Sequence, residues 1–170
     1  IDADSSTATV LITPIDDPSW EPDETVYLTV SPGAAYGAGS PSGASVTIIS
    51  DDLPPDLIVS AISVPTTAGA DTDITVTDST KNQGTGPASE QSATGFYLST
   101  NTTWDAADLF LGSRSVPALG PGAIDSLPSV LHVPPGTATG SYYILAKADT
   151  NNAVVESLEN NNIKASSSIK

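Results

Sequence analysis

The sequence predicts an all-β protein made of two immunoglobulin-like β-sandwich domains, the first of them incomplete. Three observations carry that reading. Short apolar runs alternate with polar residues at a period of two, as in Thr25-Val26-Tyr27-Leu28-Thr29-Val30. Turn-forming clusters of Gly, Pro, Asn, Asp and Ser interrupt these runs every 8–15 residues or so. No stretch shows the 3.6-residue period of an amphipathic helix, apart from one possible turn at Ala106-Ala107-Asp108.

The elements follow in order. Residues 8–15 read as a strand around Val10-Leu11-Ile12, Thr25 to Val30 as a second, and Ser45 to Ile49 as a third. Between the last two, residues 31–43 are rich in Gly, Ser, Ala and Pro and read as a long loop. Leu53-Pro54-Pro55-Asp56 marks the expected boundary, with the two prolines favouring an extended, semi-rigid connection. This gives domains at 1–53 and 54–170. In the second, strands are expected at 57–64, 74–77, 93–99, 109–111, 124–133, 142–148 and 163–168. Turns are expected at Lys81 to Pro87 and Leu119 to Gly122.

Charge excludes several functions. The 170 residues carry 20 acidic and 5 basic side chains, for a formal charge of −15. Phosphate backbones and anionic membrane surfaces attract basic proteins, so neither nucleic acid nor a membrane surface is an expected partner. No apolar run approaches the roughly 18 residues of a membrane span, so no membrane insertion is expected. There is no Cys, so disulfides cannot staple the fold. The acid is concentrated: residues 1–53 carry −9 and no base, residues 54–170 carry −6. Starting at Ile1 inside a domain pattern, the chain is expected to be a fragment or a processed product.

The acids of the first domain follow directly on apolar runs. Asp16-Asp17 comes after the first strand and Asp51-Asp52 after the third. If those strands are neighbours, their carboxylates meet at one rim, where they repel unless a cation lies between them. Ca²⁺, a hard ion that takes oxygen ligands in flexible geometry, suits such a rim. Asn101, Asp105 and Asp108 form a weaker candidate calcium loop. It lacks the ligand spacing and fixed glycine of an EF-hand, and a turn capped by Asp105 with Trp104 packed inward is the plainer reading. Glu156, Glu159 and Asn160 to Asn162 could also hold an ion. The Asn residues read more simply as turn formers that accept left-handed backbone. His132 is the single histidine, and no nucleophile elbow or oxyanion loop accompanies it. No catalytic residue is assigned, and the chain is not expected to be an enzyme.

Two family resemblances add to this reading. Residues 8–52 resemble the C-terminal half of a Calx-β domain: a strand ending in Ile15-Asp16-Asp17, then Glu21-Pro22-Asp23-Glu24-Thr25 leading into Val26-Tyr27-Leu28, then a strand ending at Asp51-Asp52. In that family the strand-end acids bind Ca²⁺. The resemblance therefore implies Asp16, Asp17, Glu21, Asp51 and Asp52 as ligands, with Ser50 standing where calcium-binding members often have a further Asp. Residues 55–168 resemble CARDB, a bacterial cell-adhesion-related module. The resemblance is carried by Pro55-Asp56-Leu57-Ile58-Val59, Lys81-Asn82-Gln83-Gly84-Thr85-Gly86, Phe96-Tyr97-Leu98-Ser99, Leu109-Phe110-Leu111-Gly112, Gly140-Ser141-Tyr142-Tyr143 and the segment 149–161. It implies an immunoglobulin-like fold in extracellular multidomain proteins and no catalysis.

Together these imply a structural or adhesion module of a large secreted or surface-anchored bacterial protein, stiffened by Ca²⁺. Its partners would be a protein or cell-surface ligand, or neighbouring domains of the same chain. An accessory region of a secreted hydrolase such as a protease is the alternative. Three strands cannot bury both faces alone. The apolar face around Val26, Leu28 and Val46 is therefore expected to be covered, by the second domain, by the missing half or by self-association.

Overall fold

The computed structural model describes residues 10–15, 20–34 and 36–170. Among these residues every regular element is a β-strand. The chain divides into two compact units, one holding most of residues 1–50 and the other residues 51–170 together with 19–21.

In the first unit, β1 (Glu24–Thr29) and β2 (Gly43–Ile48) form an antiparallel hairpin with Val26 opposite Val46 and Leu28 opposite Ala44. The described residues of the expected first strand, 10–15, lie outside any strand and are exposed. Without that third strand the hairpin has little to bury against. Leu28 and Val46 are 48% and 55% exposed and Val26 is half-buried, so the expectation that this face is covered is not met among the described residues.

The second unit is a two-layer sandwich. One sheet has the order β3-β4-β7, from Leu57–Ser63, Thr72–Asn82 and Ile124–Val133. The other has the order β6-β5-β8-β9, from Leu109–Val116, Ser92–Ser99, Tyr143–Lys147 and Ile163–Ala165. Every pairing is antiparallel. Alternation puts Leu57, Val59, Ile74, Val76, Phe96, Leu98, Ile144 and Ala146 between the layers, where they form one core. Phe96, Val76 and Ile144 are wholly buried. A bulge next to Phe96 shifts the β5–β6 register. It falls opposite Gly112, whose φ of 151° is one that side chains rarely adopt.

The inward row of β4 changes character along its length. Ile74 and Val76 are followed by Asp78, Thr80 and Asn82, all three fully buried. The sandwich thus has an apolar end and a polar end. At the polar end β3 begins, since Leu57 pairs with Asn82.

Candidate functional site

The polar end is built from side chains that satisfy one another. Arg114, the one arginine of the sequence, reaches inward from β6. Its Nε donates to Asp78 Oδ1 at 2.6 Å and its Nη2 to Asp78 Oδ2 at 2.8 Å, a two-pronged pair. Its Nη1 donates to Asp125 on β7. Thr80 Oγ1 donates to Asp78 Oδ2 at 3.1 Å and lies 2.6 Å from Thr94 Oγ1. This triad joins β4, β6 and β7 across the two layers. Leaving any of these charges unpaired in the interior would be costly.

Asn82 organises the entry of the chain into the sandwich. Its Oδ1 accepts the Asp56 and Gly84 N–H groups, and its Nδ2 donates to the Gly86 and Leu119 carbonyls. Pro54 O accepts Thr85 N and Gly86 N, and Pro55 O accepts Ser157 N. The segment Leu53 to Asp56, expected as an extended connection, is thereby fastened to the body of the second unit. Only glycine permits this at Gly84 and Gly86. A Cβ on Gly86 would lie 1.5 Å from Leu53 O, and one on Gly84 2.6 Å from Pro54 O.

The loop of residues 149–162 closes the same end. Asp149, with φ 43°, accepts the Ala153 and Val154 N–H groups on its two carboxylate oxygens. Glu156 accepts Leu57 N on Oε2 at 2.6 Å and Asn162 Nδ2 on Oε1 at 3.3 Å. Asp56 accepts Gln83 Nε2 and Asn161 Nδ2, both at 2.9 Å. Burial pushes the Glu156 carboxyl up to about 8; the Leu57 N–H opposes this, and the nearby Glu159, Asp149 and Asp56 carboxylates add to it. The left-handed backbone expected at Asn160 to Asn162 occurs instead at Asp149 and Asn152, with a third non-glycine case at Asp71.

The sequence-predicted calcium residues fare differently from one another. Asp16 and Asp17 lie outside the described residues. Glu21 and Asp51 are exposed and Asp52 is half-buried. In the weaker loop, each candidate spends an oxygen on its own backbone. Asn101 Oδ1 accepts Thr103 N, Asp105 Oδ1 accepts Ala107 N, and Asp108 Oδ2 accepts Asp105 N. These are the bonds of capped turns, and the turn at Ala106 does not continue into a helix. Trp104 does not pack inward. It stays 38% exposed, edge-on to Tyr97 with ring centroids 6.1 Å apart, and Lys147 Nζ lies 5.2 Å from its ring centre.

His132 faces solvent between two carboxylates, its Nδ1 at 2.9 Å from Asp73 and its Nε2 at 3.3 Å from Asp71. The hydrogen bond to Asp73 raises its pKa above the usual histidine value, and the charge of both aspartates adds to this. Both ring nitrogens thus face carboxylates.

Sequence reasoning missed the Arg114 triad and the Glu156–Leu57 bond. A signal existed for the first: a lone Arg inside a strand, in a domain with buried-phase Asp and Thr. None existed for the second, whose partners are 99 residues apart.

The described residues of the second unit thus form an all-β sandwich with a buried polar end. The family comparison makes this specific: the CARDB family model matches residues 54–166, and the chain belongs to that family. Such domains are surface- and adhesion-related modules, generally without catalytic activity. The match does not extend to residues 8–52, where the Calx-β resemblance rests on sequence motif alone. Comparison with curated proteins returns no match.

Among solved structures, the chain is similar to a CARDB domain from Pyrococcus furiosus solved in complex with di-metal ions. Identity is 26% and the TM-score 0.51, covering 69% of this chain and 88% of that one. A solution structure of a CARDB domain from the same organism gives 26% identity and a TM-score of 0.50 over 68% and 94% of the two chains. A domain of a putative cell surface protein from Methanosarcina acetivorans is 23% identical, with a TM-score of 0.46 over 66% and 89%. Among the described residues, no group of three or more His, Cys, Asp or Glu side chains is placed to hold a metal, and no helix is long and apolar enough to cross a membrane.

Proposed function

We propose that this chain is a non-catalytic structural and adhesion module of a secreted or surface-anchored protein, stiffened by Ca²⁺. The observation that carries the reading is the CARDB sandwich itself. The Arg114, Asp78 and Asp125 bonds tie its two layers together, which suits a body that transmits position.

The calcium ligands of this reading are Asp16, Asp17, Glu21, Asp51 and Asp52. Support comes from the −9 charge of residues 1–53, unrelieved by any base. The partners are a protein or cell-surface ligand and neighbouring domains. The exposed Leu28 and Val46 offer a face for self-association.

Small-angle scattering tests the stiffening. Calcium is expected to narrow the distribution of chain dimensions relative to EDTA, and a D51N/D52N variant to lose that response. An identical profile with and without calcium would overturn the rim. Antibody against this chain is expected to label intact cells of its source; labelling only after lysis would overturn the surface assignment.

A further inference from the structure

Asp56 and Glu156 are 7% and 4% exposed, yet among the described residues no Lys, Arg or His forms an ion pair with either. The donors to these two carboxylates are neutral: Leu57 N and Asn162 Nδ2 on Glu156, Gln83 Nε2 and Asn161 Nδ2 on Asp56. Each asparagine gives its amide N–H to a carboxylate. Its other amide atom is left over. Asn161 Oδ1 and Asn162 Oδ1 are both buried and without a hydrogen-bond partner. Asn162 is 2% exposed, so bulk solvent does not reach it. Buried acceptors of this kind are uncommon and call for a missing partner.

Chain connectivity draws the four side chains together. Asp56 precedes Leu57, whose N–H lies on Glu156, and Asn161 precedes Asn162, whose amide lies on the same carboxylate. The Asn162 contact is long, 3.3 Å, so turning that amide to present Oδ1 gives up little. The two ends of an asparagine amide are interchangeable in shape. What the group lacks is positive charge, and what it has in excess is oxygen.

We infer that Asp56, Glu156, Asn161 and Asn162 form a site for one calcium ion, separate from the Asp16/Asp51 rim. Carboxylate and amide oxygens in irregular array suit Ca²⁺, which takes 6–8 oxygens and tolerates distortion; Mg²⁺ demands a regular octahedron. The set holds no nitrogen or sulfur ligand to favour a transition metal. Two carboxylates and two amide oxygens supply part of the shell and water completes it. Bound there, the ion ties the start of β3 to the loop of residues 156–162.

The test is an amide-resolved NMR titration of the EDTA-treated chain with CaCl₂. The Leu57 backbone amide and the Asn161 and Asn162 side-chain amides are expected to shift along one saturable curve. Asp56→Asn is expected to weaken that curve roughly tenfold or more, since site affinity follows ligand charge. A D51N/D52N variant is expected to leave it unchanged. Should Asp56→Asn fail to fold, Asn161→Ala removes one oxygen ligand and keeps both carboxylates; it too should weaken the curve. Resonances of Leu57, Asn161 and Asn162 that stay still up to about 10 mM Ca²⁺, ten times the weakest affinities of extracellular calcium modules, would overturn the site. Shifts confined to Glu21, Asp51 and Asp52 would overturn it as well while leaving the rim standing.

Discussion

The Glu156 carboxylate accepts the Leu57 backbone N–H at 2.6 Å, joining the start of the sandwich's first strand to a loop 99 residues later. Pro55 O reinforces the junction by accepting both the N–H and the hydroxyl of Ser157. The order in which the chain enters and leaves the sandwich is thus fixed by backbone groups meeting buried side chains. Removing the acceptor exposes what the junction contributes. Glu156→Ala strands a buried N–H and is expected to lower stability by about 1–3 kcal/mol in urea unfolding with EDTA present. Glu156→Gln keeps an acceptor for Leu57 and should lose less. Equal losses for the two would show that the bond is not what holds the junction.

Arg114→Met leaves Asp78, whose side chain is 0% exposed, without its charge partner. The expected loss is about 3–5 kcal/mol, because an unpaired buried charge costs more than the pair contributed. Arg114→Lys should restore little, since a point charge cannot reproduce the two-pronged geometry. The urea midpoints of both variants measure this, and a loss below about 1 kcal/mol for Arg114→Met would contradict it.

Gly86→Ala forces its new methyl against Leu53 O and should cost the two hydrogen bonds to Pro54. A loss of several kcal/mol, on the order of the largest single-site effects, is expected. Gly120→Ala serves as the control, because nothing lies within 4 Å of the added carbon. Similar unfolding midpoints for the two variants would refute the close approach.

His132 should titrate above the ordinary histidine value of 6.5, with Asp73 as the main cause. Its folded form holds the proton more tightly than the unfolded chain does. The contribution to stability is therefore full below pH 6.5 and is lost as pH rises through the folded value. Imidazole resonances followed by NMR report the midpoint. Asp73→Asn should bring it down toward 6.5; an unchanged midpoint would assign the shift elsewhere.

Much of the sandwich was legible in the sequence, and the exceptions share a cause. The strand at 124–133 is found at its expected bounds, and that at 93–99 within one residue. β4 was read as 74–77 but continues to Asn82, because its inward positions turn from Ile74 and Val76 to Asp78, Thr80 and Asn82. Alternation of apolar residues cannot register an interior that is polar. β6 was cut short at Leu111 for the same reason, since Arg114 takes an inward place. The last strand was read too long: it ends at Ala165, and Ile169 returns only as a single bridge to Tyr142. For the candidate site, Asp105 was legible as a cap because its bond is local. The clasp of Asp56 and Glu156 was not, because its members meet only once the sandwich has formed.

The central claim is that the surplus acid of this chain is balanced by calcium in the service of cohesion. Thermal unfolding with EDTA and with Ca²⁺ tests it most directly. At a hundredfold excess over the dissociation constant, one bound ion adds about 2.7 kcal/mol. For a chain of this length that raises Tm by about 5–10 °C. A rise of that size, reversed by EDTA, is the expected result; a Tm indifferent to calcium would contradict the account.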